Sequence, residues 1–368
     1  MPIVSAGSKV LVTGANGFVA AWVIHTLLEK GYKVRGTIRS EGKGVHLKKI
    51  FADYGNNFEL VVVEDITKDG AFDEAIKGVD AIAHTASPFQ LAADDPEELI
   101  TPAVNGTVSI LKSALTASTL KRIILLSSCA AILSLLPDPK PFTESDWNDQ
   151  AIEDVKANGK NANQVNKYCA SKTLAEKAAW ELYNTNKANV SWDLVALNPP
   201  YIFGPIIHEV TSPAALNTST SDWYNSVVRS DMGGKSLDEI AVVGNGWVDI
   251  RDVALAHVLA FQKEKAGGER LIILEGDFSY QDFTYISDQP TKTKFFYDSV
   301  DAANALSPSP IPSHMDFPKG NPGAGKKGKP IFPYDASKAP RILGPELVYH
   351  TKEETTRDML ADFERRGW

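Results

Sequence analysis

The stretch Val10-Leu11-Val12-Thr13-Gly14-Ala15-Asn16-Gly17-Phe18-Val19-Ala20 constrains this chain more than any other. A short apolar run ends in a glycine turn. Phe18 to Lys30 then carries apolar residues at helical spacing (Val19, Trp22, Val23, Leu27) until Gly31 stops it. The pattern is strand, G-x-x-G-x-x-A turn, helix. Gly14 allows a tight turn, Gly17 lets backbone approach a ligand, and Ala20 is small enough for the helix to pack on the strand. The free N–H groups and the positive dipole end at the helix start suit phosphate. Gly14, Ala15, Asn16, Gly17, Phe18 and Val19 are therefore expected to hold the pyrophosphate of a nicotinamide dinucleotide.

The rest of the chain repeats the alternation. Strands are expected at 33–38, 59–63, 81–85, 122–126, 193–197 and 270–274, and helices at 71–77, 101–117 and 164–186. Such alternation predicts an α/β fold, a Rossmann-type doubly wound parallel sheet covered on both faces. Residues 1–198 should form this dinucleotide-binding domain, with 247–275 returning to it, and 199–368 should be mainly a smaller substrate-binding lobe. Within 248–261 a strand, turn and helix are expected, and 334–344 and 351–365 read as amphipathic helices. The stretch 307–330, rich in proline, glycine and lysine, reads as a surface loop.

Composition narrows the partners. The net charge of -8 over 368 residues offers no basic face for nucleic acid. Cys129 and Cys169 are the only cysteines, which speaks against a disulfide scaffold and for a reducing compartment. Met1 to Ser8 lacks the basic-then-apolar pattern of a signal peptide. The longest apolar run, 123–136, is interrupted by Ser127 and Ser128 and falls short of the roughly 20 residues of a membrane span. A soluble cytoplasmic protein, monomer or homodimer, is expected. No metal-ligand spacing is present.

The end of the second strand chooses between two dinucleotides. NAD sites usually carry an acid there; this chain has Arg39, with Lys43 one turn later. A guanidinium is a rigid fork of donors suited to phosphate. Arg39 and Lys43 are expected to hold the 2′-phosphate of NADPH/NADP+. Asp65 and Ile66, ending the third strand, would bind adenine, although Asp65 reads equally as a helix cap. Thr85, Ala86 and Ser87 close the fourth strand with small residues, leaving room for the dinucleotide.

Tyr168 and Lys172 stand four apart in a helical stretch and share a face. A free tyrosine, with a pKa of about 10, is a poor acid or base near neutrality. A neighbouring ammonium favours its ionised form. Ser127 or Ser128, after the strand 122–126, places a hydroxyl where a substrate oxygen would lie. Phe89, Leu133, Tyr201, Ile206 and Trp223 are candidate substrate walls, and each reads equally as core.

Together these motifs resemble the extended short-chain dehydrogenase/reductase family, in its dihydroflavonol-reductase-like branch, and within it fungal NADPH-dependent aldehyde reductases. His84-Thr85-Ala86-Ser87-Pro88-Phe89, Val104-Asn105-Gly106, Ala175-Glu176-Lys177, Asn198-Pro199-Pro200-Tyr201 and Val248-Asp249-Ile250-Arg251-Asp252 extend the likeness over about residues 8–275. It returns at 335–344. The polar stretch 158–166 and the loop 307–330 depart from it. The resemblance implies Ser128, Tyr168 and Lys172 as catalytic residues. It implies residues 14–19, Arg39, Lys43, Asp65, Ile66, Ile202 and Ser219 as cofactor contacts, to which Pro199, Tyr168 and Lys172 are added. The expected activity is reduction of aldehydes or ketones, a small carbonyl substrate being the partner. A sugar-nucleotide epimerase or dehydratase, or a non-catalytic dinucleotide sensor, are the competing readings.

Overall fold

In the computed structural model, residues 3–87, 93–135, 140–242, 244–281, 299–306, 317–321, 324 and 332–368 are described. Phe89 and most of 307–330 lie outside them. In chain order the elements are β1 (Lys9–Val12), α1 (Phe18–Glu29), β2 (Lys33–Ile38), α2 (Val45–Ile50), β3 (Phe58–Val62), β4 (Ala81–His84), α3 (Glu97–Ala114), β5 (Arg122–Leu126), α4 (Asp149–Asn158), α5 (Gln164–Asn186), β6 (Asp193–Asn198) and β7 (Tyr201–Phe203). There follow α6 (Thr218–Val227), α7 (Leu237–Val242), β8 (Gly244–Asp249), α8 (Ile250–Gln262), β9 (Arg270–Ile272), β10 (Gly276–Ser279), α9 (Ser299–Ala305), α10 (Lys338–Leu343) and α11 (Lys352–Arg366).

Seven strands make one sheet in the order β3-β2-β1-β4-β5-β6-β9, each neighbouring pair parallel. This is the expected Rossmann-type sheet. Its central strands are almost wholly apolar because parallel sheets are covered on both faces. Leu11, Ile82, Ile123 and Leu194 share one buried cluster with Phe72, Ile110 and Trp192. Burying each such side chain stabilises the fold by about 1.5–3 kcal/mol. The strand order reverses between β1 and β4. At such a switch point the loops leaving the carboxyl ends diverge and open a ligand crevice.

The chain divides into two compact units. The first comprises 1–199, 253–273 and 335–347, and holds the seven-stranded sheet. Its outlying stretches are stitched in locally: Val4 N–H donates to the Phe261 carbonyl at 3.0 Å, Asp335 N–H to the Phe142 carbonyl at 2.8 Å, and Lys338 pairs with Glu269 at 2.6 Å. The second comprises 200–252, 274–334 and 348–368. It carries a three-stranded sheet, β10-β8-β7, over a core in which Phe203, Trp223, Trp247 and Phe363 are fully or almost fully buried. Thr351 and Glu354 form a capping box at the start of α11, and Gly367 ends it at φ 73°, in the left-handed region.

Several boundaries differ from expectation. Residues 71–77 form successive turns rather than a helix. Gly70 and Gly78 flank them, both at positive φ (75° and 69°), outside the right-handed helical region. The helix expected from 101 begins at Glu97 and passes through Pro102, its first turn carrying Glu97 and Glu98 against the positive dipole end. The second-half return begins at Val253 rather than 247, because β8 pairs with β7 and β10 in the second unit. The segment 335–347 belongs to the first unit, and only Lys338–Leu343 of the expected helix 334–344 is helical. No helix among the described residues is long and apolar enough to cross a membrane.

Candidate active site

The glycine turn sits where β1 meets the switch point. Gly14 has φ +66°, and a Cβ there would lie 3.1 Å from the Cα and Cβ of Ala86 at the end of β4. A side chain would thus fill the cradle and strain the backbone. Gly14 N–H donates to Thr37 Oγ1 at 3.1 Å and Ala15 N–H to the Thr37 carbonyl at 2.8 Å, fixing the turn on β2. Close approach of the same two elements explains Gly36, where a Cβ would come within 2.8 Å of Ala15 Cβ. α1 begins after Gly17 with no side-chain cap and no acid in its first turn. Its leading N–H groups and dipole are thus not offset by a local carboxylate, the arrangement that favours a phosphate.

Thr13, which sequence reasoning passed over, welds the two strand ends together. Its Oγ1 accepts from Thr85 N–H at 3.1 Å and Ala86 N–H at 3.0 Å, and lies 2.9 Å from His84 Nδ1. Two acceptances occupy both lone pairs of the hydroxyl, so its proton goes to Nδ1 and the imidazole carries its own proton on Nε2. Burial pushes His84 down to about 3, with Lys172 adding to the effect. A hydroxyl directly before the first glycine was the available signal.

Arg39 and Lys43 follow β2, and both side chains are exposed. Neither makes an ion pair among the described residues. Asp65 starts a turn, with no helix following it. Its Oδ1 accepts from Thr67 N–H at 3.0 Å and from the Thr67 hydroxyl at 2.7 Å, which lowers its pKa. No bond to its Oδ2 occurs among the described residues. Ile66 rests against Gly106, where a Cβ would lie 3.0 Å from Ile66 Cδ1.

Tyr168 and Lys172 both lie on α5, half-buried. The Lys172 ammonium is 5.8 Å from the Tyr168 ring centroid and donates to Ser87 Oγ at 2.9 Å. Burial lowers Lys172 to about 8. The residue before Tyr168 is also a buried lysine. Lys167 Nζ donates to the carbonyls of Ala93, Asp94 and Lys160 at 2.8–3.0 Å, using all three protons to fix the start of α5. This lysine too escaped sequence reasoning.

The two serines after β5 take different parts. Ser127 Oγ donates to buried Glu176 at 2.5 Å and is committed to the interior. Ser128 is half-buried; its Oγ accepts from Ala130 N–H at 3.1 Å, leaving its own proton without an acceptor among the described residues. The turn after Ser128 packs on α5, since Ala130, Cys169 and Ala170 share a cluster against which Leu133 and Tyr168 lie. Cys129 and Cys169 are buried, and desolvation raises Cys169 to about 12, so its thiol is inert near neutrality. Pro199 is buried and its carbonyl accepts from Cys129 N–H at 3.0 Å.

In the second unit, Ser219 Oγ donates to the Ile202 carbonyl at 2.7 Å, bringing those two expected contacts together. Tyr201 is 36% exposed, whereas Ile206 and Trp223 are 1% and 0% exposed within that unit's core. For Ile206 and Trp223 the core reading therefore replaces the wall reading. Leu133 and Tyr201 retain accessible surface, and Phe89 lies outside the described residues. No cluster of three or more potential metal-binding side chains occurs among the described residues.

The parallel sheet, the uncapped helix at its switch point and the Tyr/Lys pair on α5 together define a dinucleotide-dependent enzyme class. The chain belongs to the NAD dependent epimerase/dehydratase family, whose model matches residues 10–273. It is 40% identical over 286 residues to the NADPH-dependent methylglyoxal reductase of Saccharomyces cerevisiae, covering 74% of this chain and 80% of that one. It is 36% identical over 348 residues to the ketoreductase azaE of Aspergillus niger, covering 92% and 93%. Among solved structures it is similar to the yeast methylglyoxal/isovaleraldehyde reductase Gre2 complexed with NADPH, with a TM-score of 0.81, 33% identity, and 98% and 99% of the two chains covered.

Proposed function

We propose that this chain is an NADPH-dependent carbonyl reductase that converts aldehydes or ketones to alcohols. The observation that carries the reading is the Lys172–Ser87 hydrogen bond of 2.9 Å, which fixes the Tyr168 helix against the end of β4, beside the switch point. The family membership and the two reductase relatives support it. The residues present also fit the cofactor. Gly14 leaves room for a pyrophosphate, α1 offers uncompensated N–H groups, and Arg39 and Lys43 are exposed cations at the end of β2.

When bound, the reduced nicotinamide supplies the hydride that reaches the carbonyl carbon. Tyr168 gives its phenolic proton to the carbonyl oxygen, and the Ser128 hydroxyl hydrogen-bonds to the same oxygen, keeping its proton and orienting the carbonyl. Lys172 retains two ammonium protons beyond its bond to Ser87 and would offer them to the ribose hydroxyls of the bound dinucleotide. Its charge also eases loss of the Tyr168 proton. A positioned general acid contributes about 10²–10⁴-fold in rate. Leu133, beside Tyr168, forms part of the apolar substrate wall. The protein acts in the cytoplasm.

The test is consumption of NADPH with a panel of aldehydes, ketones and diketones, read from the reduced-nicotinamide absorbance. Turnover with at least one class is expected. Silence with all of them would move the reading to an epimerase or a sensor on the same fold.

A further inference from the structure

Tyr168, Lys172 and Glu176 recur at intervals of four on α5 and climb one side of that helix. The proposed reaction uses the first two. The third is a carboxylate that is 1% exposed, beneath the turn that carries Ser128. An unpaired buried carboxylate is strongly unfavourable. This one is surrounded by donors. Glu176 Oε2 accepts from Ser127 Oγ at 2.5 Å and from Asn198 Nδ2 at 2.8 Å. Its Oε1 accepts from Arg270 Nε at 2.6 Å and from Trp180 Nε1 at 3.2 Å. Asn198 Nδ2 donates also to the Ser128 carbonyl at 3.1 Å. Arg270 is held in turn by the carbonyls of Glu144 and Asp146, at 2.6 and 2.8 Å, and stacks 3.6 Å over the Trp147 ring.

Every partner of this carboxylate except Trp180 comes from a different element of the first unit. Ser127 follows β5, Asn198 ends β6 and Arg270 opens β9. A carboxylate that served stability alone needs only one cation. Here two of its five hydrogen bonds, both on Oε2 beside a longer one of 3.4 Å from Arg270 Nη2, come from Ser127 and Asn198, which flank the backbone of Ser128 on both sides. We propose that Glu176 is a positioning residue. Through Ser127 and Asn198 it sets the Ser128 hydroxyl in place relative to Tyr168, on the helix from which both Tyr168 and Glu176 project. The proposal rests on the reductase reading for its kinetic consequence, but not for its geometric one.

The test uses Ser127→Ala and Glu176→Gln, each alone and combined with Ser128→Ala, in the full chain. Ser127→Ala leaves the ion pair with Arg270 intact and so keeps a folded protein even if Glu176→Gln does not fold. A displacement near 1 Å in an active site lowers rate by about 100-fold. With a carbonyl that the wild type turns over, each variant should lose about 10–100-fold in kcat, with NADPH affinity unchanged by fluorescence titration. In the Ser128→Ala background the same substitutions should cost nothing further, since residues that act through one group are non-additive. Ser127→Thr, which keeps the hydroxyl, should restore the rate. Independently of turnover, a crystal structure of Ser127→Ala should show Ser128 Oγ displaced from its wild-type place.

Wild-type kcat in both variants, an undiminished loss in the Ser128→Ala background, or an unmoved Ser128 would each overturn the proposal. If the wild type consumes no NADPH with any carbonyl, the reductase reading fails, and the placement of Ser128 in the crystal structure still decides whether Glu176 positions it.

Discussion

The Thr13 hydroxyl lies 2.9 Å from Nδ1 of His84 and accepts two backbone N–H groups from the residues that follow that histidine. One oxygen therefore joins β1 to β4 at the switch point. Thr13→Val keeps the shape and removes the acceptor. Leaving these donors unsatisfied should cost about 1–3 kcal/mol, read as a lower urea midpoint at unchanged m-value. NADPH affinity should fall with it, because Ala86 and Gly14 touch. An unchanged midpoint would mean that water replaces the hydroxyl at no cost.

Buried histidines make the fold sensitive to mild acid. His84 is pushed down to about 3 and His257 to about 4, in both cases chiefly by desolvation. Their unfolded values are about 6.5. As pH falls below that value the unfolded chain takes up protons that the folded chain refuses. The stability is therefore complete above about 6.5 and is lost on the way down toward those folded values, at up to about 1.4 kcal/mol per pH unit for each histidine. Denaturation at pH 7, 5.5 and 4.5 should show the decline, and His84→Asn should flatten it. Equal slopes for the two proteins would remove His84 from the account.

Lys172 sets an alkaline limit. Its value of about 8 lies below that of a free lysine because burial disfavours the ammonium. The profile of kcat/KM against pH reports groups of the free enzyme. It should fall above about pH 8 as Lys172 loses its charge. Lys172→Arg, which stays protonated, should lower the plateau and abolish that limb. A limb that persists in Lys172→Arg belongs to another group.

Tyr168→Phe removes one oxygen. Turnover should drop by about 10²–10⁴-fold, while NADPH still quenches or shifts protein fluorescence as in the wild type. Near-normal turnover would sink Tyr168 as proton donor.

Arg39→Asp reverses the charge at the end of β2. The side chain is exposed, so the fold should be unaffected and its melting temperature kept. Preference for NADPH over NADH, as the ratio of kcat/KM values, should fall at least 10-fold, the worth of about 1.4 kcal/mol. An unaltered ratio would leave cofactor choice to other residues.

What was legible in the sequence was local. The β1 turn and α1 are contiguous, and Tyr168 and Lys172 are one helical turn apart, so local pattern placed them on their elements, while the family resemblance supplied the roles of the pair. Ser127 and Ser128 could not be separated from the residues alone, because their difference lies in Glu176, which is 49 positions from Ser127. The partners of that carboxylate range up to Arg270, 94 positions away, and Thr13 meets His84 across 71. Such pairings follow from strand order, which no window of sequence contains. The error at 71–77 has the opposite origin. Phe72, Ala75 and Ile76 have helical spacing because all three enter one buried cluster, and turns can present them as well as a helix can.

The broken composition of the first unit bears on how the chain is made. Residues 1–199 emerge first, yet their unit is incomplete until 253–273 and 335–347 have followed. At about 5–20 residues per second, the roughly 150 residues between Pro199 and Leu347 take about 7–30 s to synthesise. For about the first half of that interval β6 lacks its outer neighbour β9 and Glu176 lacks Arg270, and until near its end Glu269 lacks Lys338. The nascent chain thus carries an unpaired strand edge and an unmatched carboxylate until residues 270–272 emerge. Truncation before residue 335 leaves β9 and Arg270 in place but removes 335–347, with the Asp335–Phe142 and Lys338–Glu269 links, and should therefore destabilise the first unit as well.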